Sequence, residues 1–138
     1  MSDIEELPDT EHLLAGMRAH MPVASAPFLV EGRVGLVIVD EVNGFATAGA
    51  GNLAPPAQDD QVDRMVSETD RLASEFDDRG LPIAAFLDTH QSGKPEPPYP
   101  PHCETGTGEE DLVPAPRWLE TGPGAALIRK DCINTKGP

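Results

Sequence analysis

Three side chains of this sequence are of types that bind transition metals. Asp88 and His90 stand two residues apart after the apolar run 83–87, so at the end of a strand they point to the same side. The proline-rich segment 94–103 then brings His102 back towards them. A carboxylate and two imidazoles suit zinc, iron or manganese and leave coordination positions open for water or a substrate. The alternative is an ordinary loop hydrogen bond between Asp88 and His90, with His102 unrelated.

A second pair of candidates is Asp40 and Lys130. Asp40 ends the apolar run 34–39, and Lys130 follows the apolar segment 125–128. Ligands of open α/β sheets bind at the carboxyl ends of the strands, where an ammonium favours the charged form of a nearby carboxylate or stabilises a developing oxyanion. The alternatives are an aspartate that caps the next turn and a solvated lysine. Cys132 is interpreted as a small buried apolar residue, because nothing near it favours a thiolate.

Three strands and one long helix must position these residues. The run 34–39 is apolar on both faces, which is typical of a strand covered on each side in a parallel sheet. Between residues 58 and 79 apolar residues recur every three or four positions, which predicts an amphipathic helix that stops at Gly80. Segments 83–87 and 125–128 predict two further strands, and the strand, helix, strand unit predicts a right-handed crossover with parallel strands.

The other segments are predicted to be an appendage and loops. Residues 1–30 contain one short helix, which Asp9 or Thr10 could cap. Loop 46–56 has neither a lysine after a glycine pair nor G-x-G-x-x-G spacing, so nucleotide binding is rejected there. The prolines of segment 94–103 favour an extended strap across the end of the sheet.

The overall composition excludes several classes of function. The chain has 138 residues and a formal net charge of -14, which argues against nucleic acid or an anionic membrane as a partner. No apolar stretch approaches the length that spans a bilayer, and the first residues are acidic where a signal peptide would be basic. Cys103 and Cys132 have no metal-motif spacing and suggest no disulfide framework, so a cytoplasmic, reducing compartment is expected.

Four motifs follow one another along the chain. They are Val-Ile-Val-Asp-x-x-Asn-Gly-Phe at 37–45, Phe-Leu-Asp-x-His at 86–90, Pro-Pro-His-Cys-x-x-Gly-Thr at 100–107 and Arg-Lys-Asp-Cys-Ile-Asn at 129–134. Together they resemble the nicotinamidases, cysteine amidohydrolases of the isochorismatase-like superfamily. The segments Gly-Asn-Leu-Ala-Pro at 51–55 and Pro-Tyr-Pro-Pro-His-Cys at 98–103 are similar to the plant type of nicotinamidase. The resemblance implies an α/β fold with a three-layer, Rossmann-like parallel sheet. It also implies hydrolysis of nicotinamide to nicotinate and ammonia in NAD salvage.

The resemblance also implies roles for individual residues. Asp40 matches the general base of a Cys-Asp-Lys triad, Lys130 matches its lysine, and Phe45 matches a substrate-binding position. Three further residues match the ligands of a divalent metal: Asp88, His90 and His102. Zinc is the expected metal, with iron and manganese as alternatives, and in the family it usually holds the pyridine nitrogen of the substrate.

The nucleophilic cysteine of the family has no counterpart in this sequence. Family members place it well after the lysine, on a loop that follows a further strand, and neither Cys103 nor Cys132 matches that position. We therefore expect an N-terminal part of the fold with about the first three strands, inactive alone. The expected organisation is an extension at 1–30, an incomplete domain at 31–134 and a divergent tail at 135–138.

A non-catalytic role is the alternative. An incomplete sheet would leave the far edge of the strand at 34–39 unpaired, and such edges invite association. The chain could then act as a metal or nicotinamide binder, as a homo-oligomer, or as a decoy that pairs with a complete subunit.

Overall fold

The computed structural model describes residues 10–21, 32–94 and 96–132. The chain divides into two compact units, Met1–Glu31 and Gly32–Pro138. In the first unit, helix α1 spans Thr10–His20, so the predicted short helix is present. The predicted tail at 135–138 and the proposed domain boundary near residue 30 lie outside the described residues. No described helix has the length and apolar character needed to cross a membrane.

The second unit is an α/β arrangement, as predicted. Its helices and strands, in chain order, are β1 (Leu36–Val39), α2 (Asn43–Ala46), α3 (Asp60–Asp78), β2 (Ile83–Asp88), the 3₁₀-helix η1 (Ala115–Glu120) and β3 (Ala125–Lys130). The three strands are parallel and lie in the order β1-β2-β3. The predicted parallel sheet of about three strands is therefore confirmed.

Helix α3 has clear start and stop signals. Asp59 precedes it, and its Oδ1 accepts hydrogen bonds from the backbone N–H groups of Gln61, at 2.8 Å, and Val62, at 3.1 Å. These bonds satisfy donors that have no partner inside the helix. The chain leaves the helix through Gly80, whose φ of +63° favours glycine. The helix spans Asp60–Asp78 and is slightly shorter than the range 58–79 predicted from the apolar periodicity.

The sheet packs on one face only among the described residues. Ile38, Ala85 and Leu87 are buried on the face towards α3 and η1, together with Ala73 and Leu119. The burial of these apolar groups is the main source of stability for this unit.

The opposite face of β1 is open. Val37 and Val39 are 60% and 55% exposed, and in the part of the chain that the structure describes β1 pairs with β2 alone. The expectation that the strand is covered on both faces is therefore met on one face. The apolar run also forms a shorter strand than predicted, Leu36–Val39 rather than 34–39.

The carboxyl ends of the strands carry three of the predicted site residues. Asp88 and Lys130 end β2 and β3 and are paired in the strand register. Asp40 follows β1, and its backbone N–H donates to the carbonyl oxygen of Phe86 at 2.9 Å. The φ of Asp40 is +58°, a left-handed conformation that turns the chain sharply at this point. All three charged side chains thus lie at one edge of the sheet.

Candidate active site

The three metal-ligand candidates lie together at the end of β2. Asp88, His90 and His102 are 5%, 8% and 6% exposed, and one ligand atom from each lies within 4.8 Å of the others. Asp88 Oδ2 is 3.0 Å from His90 Nε2 and 3.3 Å from His102 Nε2. A carboxylate oxygen and two imidazole nitrogens that converge in this way fit a divalent cation, since this donor set suits zinc and related metals.

Backbone contacts hold His102 in this arrangement. Its Nδ1 lies 2.7 Å from the carbonyl oxygen of Pro100, so Nδ1 donates and Nε2 is left for a metal. The N–H of His90 donates to the carbonyl oxygen of Cys103 at 2.9 Å, and the N–H of Thr105 donates back to His90 at 2.8 Å. The segment after the proline-rich loop is therefore fixed alongside His90.

Sequence reasoning missed Glu96 as a member of this site. Its Oε2 lies 3.4 Å from His90 Nε2 and 3.7 Å from His102 Nε2, and its side chain is 35% exposed. Glu96 could therefore supply a fourth ligand atom, a second carboxylate oxygen, to the cation. The sequence signal was an acidic residue inside the proline-rich segment, but the fold of that segment decides whether the carboxylate turns towards the histidines.

The structure brings Asp40 and Lys130 together as the strand ends predicted. Lys130 Nζ lies 2.9 Å from Asp40 Oδ1 and 3.5 Å from Asp88 Oδ1. Burial alone would lower the pKa of Lys130, but the hydrogen bonds and negative charges of Asp40 and Asp88 outweigh it and raise the pKa. The ammonium is therefore charged at neutral pH. Its contact with Asp88 was not anticipated, although the register of β2 and β3 requires it.

One cavity of about 250 Å³ joins the two groups of residues. Its lining consists of apolar, aromatic and charged side chains: Asp40, Phe45, Leu53, Asp88, Glu96, Tyr99, His102 and Lys130. The ring centroids of Phe45 and Tyr99 lie 5.7 Å and 6.1 Å from that of His102. A cavity of about 150 Å³ holds a benzene molecule, so this one has room for a small aromatic ring.

A second cavity, of about 310 Å³, is lined by His90 and His102. Lys94, Glu96 and Glu104 are also among its lining residues. His102 and Glu96 therefore border both cavities.

Neither cysteine lies in the lining of the cavity between Asp40 and His102, as far as the described residues go. Cys103 is completely buried, and burial together with the nearby charge of Asp88 raises the pKa of its thiol to about 12. Such a thiol stays protonated at neutral pH and is a poor nucleophile. Cys132 is half-buried rather than buried as expected, because it follows β3, whose side chains are largely exposed.

Two acidic residues that the sequence did not single out hold the loop behind His102. Glu109 Oε2 accepts the backbone N–H of Cys103 at 2.9 Å. Glu110 accepts the N–H groups of Gly106, at 2.6 Å, and Gly108, at 2.9 Å. Burial would raise the pKa of Glu110, but these hydrogen bonds hold it below its usual value. Glu110 therefore stabilises the loop in its charged form, and Glu109 adds one further hydrogen bond to the backbone of the loop.

Known proteins are similar to this chain in sequence and in fold. No family model matches the chain. Nicotinamidase 1 of Arabidopsis thaliana is 50% identical over 127 residues, which are 90% of this chain and 52% of that protein. The chain therefore spans about half the length of this relative.

Two solved structures share the fold. N-carbamoylsarcosine amidase from Thermoplasma acidophilum is 25% identical with a TM-score of 0.58, over 72% of this chain and 53% of that one. Pyrazinamidase of Pyrococcus horikoshii, solved in complex with zinc, is 21% identical with a TM-score of 0.53, over 75% and 55% of the two chains. The three-stranded unit thus corresponds to about half of these amidase folds.

Proposed function

We propose that this chain, which resembles nicotinamidases along about half of their length, provides the metal site and the base of a nicotinamidase-type amidohydrolase. The reaction is the hydrolysis of nicotinamide to nicotinate and ammonia. One observation carries the proposal: the Asp40–Lys130 pair lines the same cavity as Asp88 and His102, two members of the ligand set that His90 completes. The cavity has the size and the aromatic walls that a small aromatic amide needs.

Asp40 is the proposed general base. Its contact with Lys130, at 2.9 Å, fixes the direction of the carboxylate. A carboxylate in the lining of the cavity can take a proton from a nucleophile that attacks the amide. Lys130 can then offset the negative charge that develops there.

Asp88, His90 and His102 are the proposed ligands of a divalent cation, with Glu96 as a further oxygen. The cation, when bound, would act as a Lewis acid that holds the ring nitrogen of the substrate. Phe45 and Tyr99 line the same cavity and would pack against the ring. Zinc is the proposed metal, supported by the zinc in the Pyrococcus pyrazinamidase, and iron and manganese are the alternatives.

The nucleophile is proposed to come from another segment of polypeptide. Cys103 is buried with a raised pKa, and Cys132 does not line the described cavity. This chain by itself is therefore expected to bind the metal without hydrolysing nicotinamide. A cytosolic location remains a prediction from the cysteine pattern.

The test combines metal analysis with ammonia release. We expect the purified 138-residue chain to retain about one divalent metal after dialysis and to release no ammonia from nicotinamide. Co-expression with the remaining half of the Arabidopsis relative should restore hydrolysis, and Asp40→Ala in this chain should abolish it. A chain that binds no metal would refute the proposed site. Ammonia release by the chain alone, abolished by Asp40→Ala, would refute the view that the nucleophile comes from elsewhere.

The open edge of β1 favours a second candidate function, a non-catalytic partner of another chain. Val37 and Val39 present an apolar face beside an edge that is unpaired among the described residues. Such an edge can add a strand from another polypeptide. A complete nicotinamidase subunit or a second copy of this chain would fit. Co-purification of the tagged chain with a complete subunit, without any gain in ammonia release, would favour this function over the first.

A further inference from the structure

We infer that Lys130 couples the metal site to Asp40, so that the negative charge of Asp40 strengthens metal binding at Asp88, His90 and His102. Asp40 is then a positioning residue for the metal in addition to its role as a base. This inference rests on the proposed function, because it assumes that the ligand set holds a divalent cation.

Asp88 divides its two carboxylate oxygens between two neighbours. Its Oδ2 faces the two imidazoles, at 3.0 Å and 3.3 Å from the Nε2 atoms of His90 and His102. Its Oδ1 lies 3.5 Å from Lys130 Nζ. The carboxylate that would bind the metal is therefore also an acceptor for the lysine.

Lys130 in turn is shared by two carboxylates. Its shorter contact is to Asp40, at 2.9 Å, and its longer contact is to Asp88, at 3.5 Å. The side chains of Lys130 and Asp88 are 9% and 8% exposed, so solvent ions screen their interaction weakly. The position of the ammonium between the two acceptors therefore affects how much negative charge Asp88 can offer to a cation.

Without the charge of Asp40, Lys130 is no longer shared between two carboxylates. Asp88 would become the remaining carboxylate partner of Lys130 among the contacts that the structure describes, and the ammonium would compete with the metal for it. Repulsion between the ammonium and a bound divalent cation would also lose its nearest compensation. Metal binding should therefore weaken when Asp40 is neutralised, although Asp40 is not one of the three ligands.

The coupling works in both directions, as linkage requires. A metal on Asp88 draws on the negative charge that Lys130 shares, so the ammonium is held more by Asp40. The base would then be fixed most firmly in its ion pair when the metal is present. The coupling requires the base and the metal ligand to lie at the ends of neighbouring strands, as Asp40 and Asp88 do.

A double-mutant cycle on the full 138-residue chain tests the inference. The affinity for zinc is measured by calorimetric titration with a competing chelator, for the wild type, Asp40→Asn, Lys130→Met and the double variant. We expect Asp40→Asn to weaken zinc binding by about 10-fold, at the lower end of effects seen for groups that support metal ligands. In the Lys130→Met background the same substitution should change the affinity by less than about 3-fold.

Two further variants serve as controls. Asp131→Asn removes the carboxylate that follows Lys130 in the sequence and pairs with Lys94 at 3.1 Å on the surface. This variant should leave the affinity for zinc unchanged. Asp40→Glu keeps the charge and should retain most of the affinity. Circular dichroism verifies that each variant folds. If Asp40→Asn does not fold, Asp40→Gly replaces it in the two lysine backgrounds, because glycine suits the left-handed backbone at this position. A loss of affinity that is seen only with Lys130 present supports the inference, and an equal loss in both backgrounds overturns it.

The outcomes separate this inference from the proposed function. An equal effect of the Asp40 substitution in both backgrounds, or no effect in either, would overturn the coupling while leaving the metal site intact. Wild-type protein that binds no zinc and no manganese would reject the proposed function and the coupling together.

Discussion

Asp88 and Lys130 are the last residues of β2 and β3 and stand opposite each other in the parallel register, with Oδ1 and Nζ 3.5 Å apart. A one-residue slip of β3 would turn Lys130 to the other face of the sheet, because side chains alternate along a strand. Strand register therefore determines which charged side chains meet at the site.

Loss of a metal ligand should be visible without any enzymatic assay. We expect His102→Ala to weaken zinc binding by more than about 100-fold, since substitution of residues that only support metal ligands already lowers metal affinity by about 10-fold to 100-fold. Calorimetric titration measures the change. His20→Ala, which removes an exposed histidine at the end of α1, should leave the affinity unchanged. Equal affinities for both variants would contradict the ligand assignment.

Glu96 gives a finer test of the same site. Its carboxylate is near both imidazoles but is 35% exposed, so a Glu96→Gln variant should lose less affinity than His102→Ala, about 10-fold. Glu104→Gln, which changes another residue lining the second cavity, is the matched control. A Glu96 variant with wild-type affinity would show that the carboxylate does not contact the cation.

The charged form of Glu110 should stabilise the fold in a pH-dependent way. Its pKa is lower in the folded chain than its ordinary value of 4.5, so its contribution is fully present above pH 4.5 and is lost as the pH falls through the folded value. Glu110→Gln should cost about 2 kcal/mol at pH 7, the range for hydrogen bonds to a charged group.

Urea unfolding at several pH values checks this contribution of Glu110. The difference between wild type and Glu110→Gln should shrink as the pH falls below 4.5. Glu68→Gln, which removes an exposed ion pair with Arg71, should change stability by less than about 0.5 kcal/mol at any pH. A difference for Glu110→Gln that does not depend on pH would contradict the stabilising role of its charge.

Gly51 is predicted to be intolerant of a side chain. A Cβ at this position would lie 2.5 Å from Glu109 Oε2 and 2.7 Å from Glu109 Cδ. Gly51→Ala should push Glu109 away from the N–H of Cys103, lower the free energy of unfolding by about 1–3 kcal/mol and weaken zinc binding through His102. Gly16→Ala is the control, because nothing lies within 4 Å of its Cβ. Wild-type zinc affinity in a folded Gly51→Ala chain would show that this loop contact does not support the metal site.

A lysine should be tolerated on the exposed face of β1 and should unfold the chain on the buried face. Val37 is 60% exposed, so Val37→Lys should leave the fold intact and reduce any self-association through the open face. Ile38 is 4% exposed and faces the core, so Ile38→Lys should unfold the chain. Sedimentation velocity and circular dichroism measure these effects. Association that is unchanged in Val37→Lys would place the contact surface elsewhere.

The sequence predicted the strands, α3 and the pairing of Asp88 with His90 because short-range patterns control them, whereas the placement of His102 beside them was predicted from the proline-rich segment and the resemblance. Apolar periodicity sets the elements, and parallel strands bring their carboxyl ends to one edge. The resemblance to nicotinamidases, carried by four motifs, is confirmed by the 50% identity to the Arabidopsis relative.

Other features depended on contacts that no local pattern contains. The turn of Glu96 towards the histidines depends on the path of the proline-rich loop. Whether the face at Val37 is covered cannot be read from the residue type, because a valine is equally suited to a covered or an open strand. It depends on which segments pack against that face. The hydrogen bonds that Glu110 accepts from the N–H groups of Gly106 and Gly108 depend on the turn that these glycines allow.

Position 40 places fold stability and chemistry in direct competition. Asp40 holds a left-handed backbone, which costs of order 1 kcal/mol for residues other than glycine and is easier for asparagine. A library selected for thermal resistance alone should therefore accumulate glycine or asparagine there, since Lys130 would keep Asp88 as a partner. A library selected for amide hydrolysis in the complemented enzyme should retain aspartate. The residue recovered at this one position would reveal which selection had acted.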